Sequence, residues 1–79
     1  MKYAELTRET FDQQVQAEAN AYSCCWYHGS GKYTTNYFPT LKEAHEERDE
    51  IRAAFPHARI LIYAIVVGPL GPTHQTLVP

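Results

Sequence analysis

The feature that most constrains the fold is a nearly apolar, uncharged run close to the C-terminal end, from Ile60 to Val67. Five of its eight residues are branched at Cβ, and such side chains pack well on a pleated sheet. The run is too short to span a membrane, and Pro56 and Gly68 bound it on either side. It therefore predicts a strand covered on both faces, for which the rest of the chain supplies partner strands and helices.

The length and composition predict one small globular domain. We expect this domain over residues 1–67 and an irregular tail over residues 68–79, which contain three prolines and two glycines. A 79-residue chain buries only about 60% of its unfolded surface, so dimerisation would add stability. The net charge of −2 does not by itself indicate a nucleic-acid or membrane partner. No apolar leader precedes the first charged residues, so we expect a cytoplasmic protein.

Two stretches rich in Tyr, Thr and Cys predict a β-hairpin with strands over residues 21–28 and 32–38. Gly29 suits the first position of a two-residue type II′ turn, which requires positive φ. This turn pairs Trp26 with Tyr33 and Tyr22 with Tyr37. One face then carries Tyr22, Cys24, Trp26, Tyr33, Thr35 and Tyr37. The other face carries Ala21, Ser23, Cys25, Tyr27, Lys32, Thr34, Asn36 and Phe38.

Two helices are predicted, one before and one after the hairpin. The first covers residues 8–19, where a capping box at Thr10 precedes apolar residues at helical spacing, although part of the stretch also alternates like a strand. The second begins with a clearer capping box, in which Thr40 accepts from the amide of Glu43. It ends near Phe55, because Pro56 disfavours helical geometry in the residue before it.

These elements predict an α+β fold with a small antiparallel sheet of three or four strands and one or two helices on one face. If residues 2–6 form a first strand, the order is βαββαβ and a ferredoxin-like, split βαβ layout is one alternative. Without that strand, a plain antiparallel sheet remains. In either case we expect the strand from Ile60 to Val67 to lie at a sheet edge and to mediate a homodimer.

The second predicted helix carries a row of carboxylates opposite its apolar stripe, formed by Glu43, Glu46, Glu47 and Glu50. Such a row can dock on a basic groove or imitate a phosphate backbone. The alternative is an ordinary solvated helix face. Arg48 falls within the apolar stripe, where it either extends to water or donates to a partner's carboxylate or phosphate.

The hairpin aromatics are a second candidate partner-binding surface, formed by Tyr22, Trp26, Tyr33 and Tyr37. They suit a protein hot spot or a stacking platform for bases, and the alternative is that helices cover them as core. The RNA-recognition pattern fails because Thr35 occupies the position two residues after Tyr33. A nucleic-acid partner is therefore the second hypothesis, after a protein partner.

Nothing in the sequence predicts an enzyme, a metal site or a cofactor. Cys24 and Cys25 are adjacent, so on a strand they point to opposite faces, and we expect both to be reduced. Cys25 and His28 lack the spacing of a zinc site, and no flanking signature makes either cysteine a catalytic nucleophile. We therefore predict a non-enzymatic binding protein.

The chain length, the hairpin, the acidic helix and the aromatic residues together resemble the small phage-encoded anti-CRISPR proteins, in particular inhibitors of type I-C systems. The resemblance covers the layout of most of the chain and includes no diagnostic motif, so no site residue is transferred. It implies an inhibitor in the host cytoplasm that binds a CRISPR surveillance complex and interferes with engagement of target DNA.

Overall fold

The computed structural model describes residues 7–79, and the predicted strand over residues 2–6 lies outside this range. Two helices and four strands follow one another as α1 (Arg8–Glu18), β1 (Ala21–His28), β2 (Gly31–Thr34), α2 (Leu41–Ala54), β3 (Arg59–Gly68) and β4 (Gly71–Leu77). The strands form one antiparallel sheet in the order β2-β1-β3-β4. The predicted α+β class with a small antiparallel sheet is confirmed.

The apolar run forms the long inner strand β3. It pairs with β1 on one side, where Cys24 lies opposite Ile62, and with β4 on the other, where Tyr63 lies opposite Leu77. The strands that follow the two helices, β1 and β3, are therefore direct neighbours, as in the plain antiparallel sheet. In a split βαβ layout these two strands would be separated from each other.

The prediction of an irregular tail over residues 68–79 is wrong, because Gly71–Leu77 forms strand β4. Gly71, with a φ of 117°, lies directly after the turn that reverses the chain behind β3. Pro72 is tolerated because β4 is the last strand of the described sheet and pairs beside a register shift at Val66/Val67.

The prediction that the strand from Ile60 to Val67 lies at an open sheet edge, on which the expected homodimer depends, is also wrong. That strand lies inside the sheet, so both of its edges are occupied by β1 and β4. The physical reason is that β4 covers this edge in spite of Pro72, because an edge strand needs only one side of its backbone for pairing.

The β1–β2 hairpin has the predicted turn and register at its tip. His28 pairs with Gly31 and Trp26 with Tyr33, and Gly29 adopts a φ of 60°. Further along, Tyr22 pairs with Phe38 rather than with the predicted Tyr37, through N–H to carbonyl distances of 2.8 and 2.7 Å.

One additional residue between Thr34 and Phe38 causes this slip. Three steps along β1, from Cys25 to Tyr22, correspond to four steps on the returning segment. The hydroxyl of Thr35 compensates locally by accepting from the Cys24 amide at 3.0 Å and donating to the Asn36 carbonyl. Phe38 consequently joins the face of Tyr22.

Both helices begin with a capping threonine. In α2, Thr40 Oγ1 accepts from the Glu43 amide at 3.2 Å, as predicted. In α1 the cap is Thr7, whose Oγ1 accepts from the Thr10 amide at 3.3 Å. The capping box predicted at Thr10 is wrong, because that residue already belongs to the first helical turn.

The two helices cover the same face of the sheet. Helix α2 packs its Ala44 and Ile51 against Cys24 and Ile62. Helix α1 reaches the same face at β4, where the Thr76 hydroxyl donates to Asp12 at 2.8 Å. Thr76 pairs with Ala64, and Ala64 pairs with Tyr22. Because cross-strand partners share a face, Thr76 lies on the same face as Tyr22. The predicted arrangement with helices on one face is therefore confirmed.

The opposite face of the sheet carries no helix among residues 7–79. Ile65 is buried there, whereas Leu61 and Tyr63 are only half-buried. The burial of β3 is therefore less complete on this face than the apolar run predicts. In the part of the chain that the structure describes, neither helix has the length and apolar character that crossing a membrane requires.

Candidate functional site

Helix α2 runs along β1 in the direction of that strand. Near its start, the Cys24 thiol donates to the carbonyl of Ala44 at 3.2 Å. At its end, the ring of Phe55 contacts the ring of His28, with 4.6 Å between centroids. Because β1 lies between β2 and β3, one flank of α2 faces β3 and the other faces β2.

The charges on α2 are sorted between these flanks. At 100° per residue, His45, Arg48 and Arg52 fall on one side of the buried stripe, and they line a hollow together with Ile60 and Ile62 of β3. Four carboxylates lie on the remaining surface, with Glu43, Glu47 and Glu50 on the flank toward β2 and Glu46 facing away from the sheet. Asp49 is the exception, because it pairs with Arg48 on the flank toward β3.

An aromatic stack lies on that β2 side of the helix. The rings of Trp26 and Tyr33 stack with 5.4 Å between centroids and 25° between planes. Trp26 is half-buried against the core, whereas Tyr33 is 49% exposed. Tyr33 therefore presents a ring to solvent that Trp26 supports from beneath, next to the acidic flank of α2.

The four predicted aromatic residues are divided by their burial. Tyr22 and Trp26 pack against the core cluster, so most of their surface is covered, as expected if the aromatic residues belong to the core. Tyr33 and Tyr37 are each 49% exposed, but the register slip that brings Phe38 onto the face of Tyr22 takes its neighbour Tyr37 off that face, so Tyr37 does not join the predicted surface. The surface that remains for a partner is thus narrower than the sequence indicates and is centred on Tyr33.

The predicted acidic row is accessible along most of its length. Glu43, Glu46 and Glu50 are exposed, and Glu47 is half-buried. We call the surface formed by these four carboxylates together with Tyr33 the acidic–aromatic surface. It presents negative charge and one exposed aromatic ring, which is the composition that suits a basic partner with groups able to stack.

Gly31 is a residue of this site that the sequence reasoning assigned only to the turn. A Cβ atom built on Gly31 would lie 2.7 Å from Oη of Tyr33. The absence of a side chain at Gly31 is therefore what allows the Tyr33 ring to lie back over the strand and against Trp26. The signal was available in the sequence, because residues two apart on a strand share a face.

The cysteines do not form a reactive centre. Both thiols are buried and free, as predicted for a reduced pair on opposite faces of a strand. Burial raises the pKa of the Cys24 thiol, and the Glu47 carboxylate raises it further, against a weaker opposing effect of Arg48. A thiol held in its protonated form is a poor nucleophile.

Metal binding has no support in the same region. Within residues 7–79, no three side chains of His, Cys, Asp or Glu lie together in an arrangement that holds a metal ion.

No protein-family model matches this chain, and no curated protein or solved structure is similar to it.

Proposed function

We propose that this chain is a non-enzymatic binding protein that docks its acidic–aromatic surface on a basic surface of a protein partner. The observation that supports this most strongly is the position of Tyr33. Its ring is half exposed and stacked on Trp26, over a glycine that leaves room for it. Rigid, exposed aromatic rings are typical anchors of protein interfaces because they lose little conformational entropy on binding.

The carboxylates beside Tyr33 determine which partner fits. A single-stranded nucleic acid would stack on the ring, but its phosphates would meet the acidic flank of α2. A protein surface rich in Arg and Lys gains from both features, since guanidinium groups pair with carboxylates and stack on tyrosine. The nucleic-acid alternative is therefore the weaker one.

The resemblance to phage anti-CRISPR proteins suggests a specific partner. Effector complexes of CRISPR systems hold their nucleic acids in positively charged channels. An acidic helix with an aromatic anchor beside it has the chemistry to occupy the entrance of such a channel. We therefore propose a CRISPR surveillance complex as the partner and interference with target DNA engagement as the consequence.

The test is binding of the purified chain to a purified type I-C surveillance complex, measured on an immobilised surface with and without target DNA. We expect saturable binding that target DNA reduces. Replacing the anchor, Tyr33→Ala, should weaken binding by at least about tenfold, the usual effect of losing a hot-spot aromatic.

The matched control is Tyr27→Ala, because Tyr27 is a 40% exposed sheet tyrosine on the opposite face. This variant should bind like the unmodified chain. Equal losses for both tyrosines, or no binding to the complex, would contradict the proposal. Stronger binding to an unstructured oligonucleotide, with a steep loss in salt, would favour the nucleic-acid alternative.

A further inference from the structure

The flank of α2 that faces β3 borders a hollow of about 250 Å³. Its walls and floor are formed by apolar side chains of β3 and of the segment around the end of β4, among them Ile60, Ile62 and Val78. Its rim on the helix side consists of His45, Arg48 and Arg52. The hollow lies across the helix from the acidic–aromatic surface.

Two of the three rim residues bring hydrogen-bond donors that the protein itself leaves underused. Arg48 directs Nε and Nη2 to one oxygen of the neighbouring Asp49, at 3.3 and 3.1 Å, which leaves its other N–H groups available. Arg52 is exposed and forms no ion pair within residues 7–79. The two guanidinium groups are one helical turn apart, so both can approach one ligand.

His45 lies at the same rim. Its Nδ1 is buried and has no hydrogen-bond partner among the described residues. Most buried polar atoms in folded proteins have a partner, and leaving one unpaired lowers stability. Because protein atoms cover Nδ1, it is not itself a contact for a ligand, and the donors at this rim are those of the two arginines.

We propose that this hollow binds a small organic oxyanion, a carboxylate or phosphate monoester attached to an apolar group. A planar guanidinium group can pair with two oxygens of either anion, so the two arginines at the rim would bind the anionic group. The isoleucine and valine side chains would receive the apolar group, which explains the floor and disfavours inorganic phosphate. The site is independent of the proposed partner surface, because it uses the other flank of α2.

The experiment is a titration of the full chain with benzoate and with phenyl phosphate, monitored through backbone amide shifts of β3 and of residues 77–79. We expect saturable binding of at least one of the two anions, and which of them binds more tightly identifies the anionic group. Benzyl alcohol, which carries the ring without the charge, should bind about tenfold more weakly or not at all.

Arg52→Gln tests the rim directly at an exposed position, and circular dichroism checks that the variant is folded. We expect about tenfold weaker anion binding for Arg52→Gln. Arg8→Gln removes the same charge from an exposed position on α1 and should leave binding unchanged. Tyr33→Ala should also bind the anion normally.

Three outcomes would overturn the proposal. The first is the absence of saturation by both anions up to tens of millimolar. The second is equal binding of benzyl alcohol, which would make the hollow merely apolar. The third is an equal loss in Arg52→Gln and Arg8→Gln, which would indicate an effect of net charge rather than a site.

Discussion

The two flanks of α2 differ in charge and in shape, although the same fourteen residues form both. Toward β2, carboxylates border a stacked aromatic pair whose outer ring, Tyr33, is exposed to solvent. Toward β3, two arginines and a histidine border a concave, apolar hollow. A net charge of −2 therefore conceals two local surfaces of opposite sign, and we propose a different kind of ligand for each.

The buried stripe of α2 keeps these surfaces apart. Ala44 is fully buried and Ile51 is 5% exposed, and both lie over Cys24 and Ile62. The rotation of the helix about its axis therefore fixes which charges face β2 and which face β3. Loosening this contact should degrade both surfaces, whereas changes on one flank should affect only one.

The largest effect is expected from Ile51→Ala, which removes the main anchor of α2. Truncating a buried isoleucine costs about 2–5 kcal/mol, so unfolding by urea should occur at a clearly lower concentration. Leu70→Ala is the control, because the Leu70 side chain is fully exposed and its loss should change stability by less than about 0.5 kcal/mol. Equal stability of the two variants would show that α2 is not held by this contact.

A smaller effect is expected at the N-terminal end of the helix. Thr40→Ala removes the oxygen that caps the Glu43 amide and should lower the free energy of unfolding by about 1 kcal/mol. Because the first turn carries Glu43, binding through the acidic flank should weaken more than anion binding at Arg48 and Arg52. Thr40→Ser keeps the hydroxyl and should restore both. A Thr40→Ala chain as stable as the original would contradict the observed cap.

The thiol beneath α2 predicts a loss of stability confined to alkaline pH. Burial raises the pKa of Cys24 above its ordinary value of 9.0 in the folded chain. The unfolded chain therefore releases this proton first, so the stability from the protonated thiol is complete below pH 9.0 and declines as the pH rises further. Urea unfolding across this range measures the decline.

The control for this prediction is Cys24→Ala, in which the alkaline decline should be shallower than in the original chain. Cys25→Ala retains the Cys24 thiol and should keep the decline. If removing Cys24 left the pH profile unchanged, another group would be responsible for the alkaline loss of stability.

Much of the fold could be predicted from local patterns. The capping box at Thr40, the Gly29 turn and the apolar run of β3 each depend on a few neighbouring residues, and the structure contains all three. Strand β4 could not be predicted in this way, because its proline and polar residues are typical of a loop. It becomes a strand only by pairing with β3, which is a property of the assembled sheet.

The candidate site shows the same division between local and tertiary information. The acidic row was readable from helical spacing, whereas the different exposure of Trp26 and Tyr33 depends on how far α2 reaches across the hairpin. Phe38 lies on the face opposite to the predicted one because of the register slip, in which the Thr35 hydroxyl takes part. The position of Arg52 beside a hollow could not be predicted from the sequence, because the floor of that hollow comes from β3 and residues 77–79.

The most direct test of the central claim compares charge reversal on the two flanks in one assay. Glu50→Lys and Arg52→Glu alter exposed residues two positions apart on α2, and the association rate with the surveillance complex is measured for each. Charges at an interface mainly steer association, so we predict slower association for Glu50→Lys and an unchanged or faster rate for Arg52→Glu. Equal rates for both variants, or slower association only for Arg52→Glu, would contradict docking through the acidic–aromatic surface.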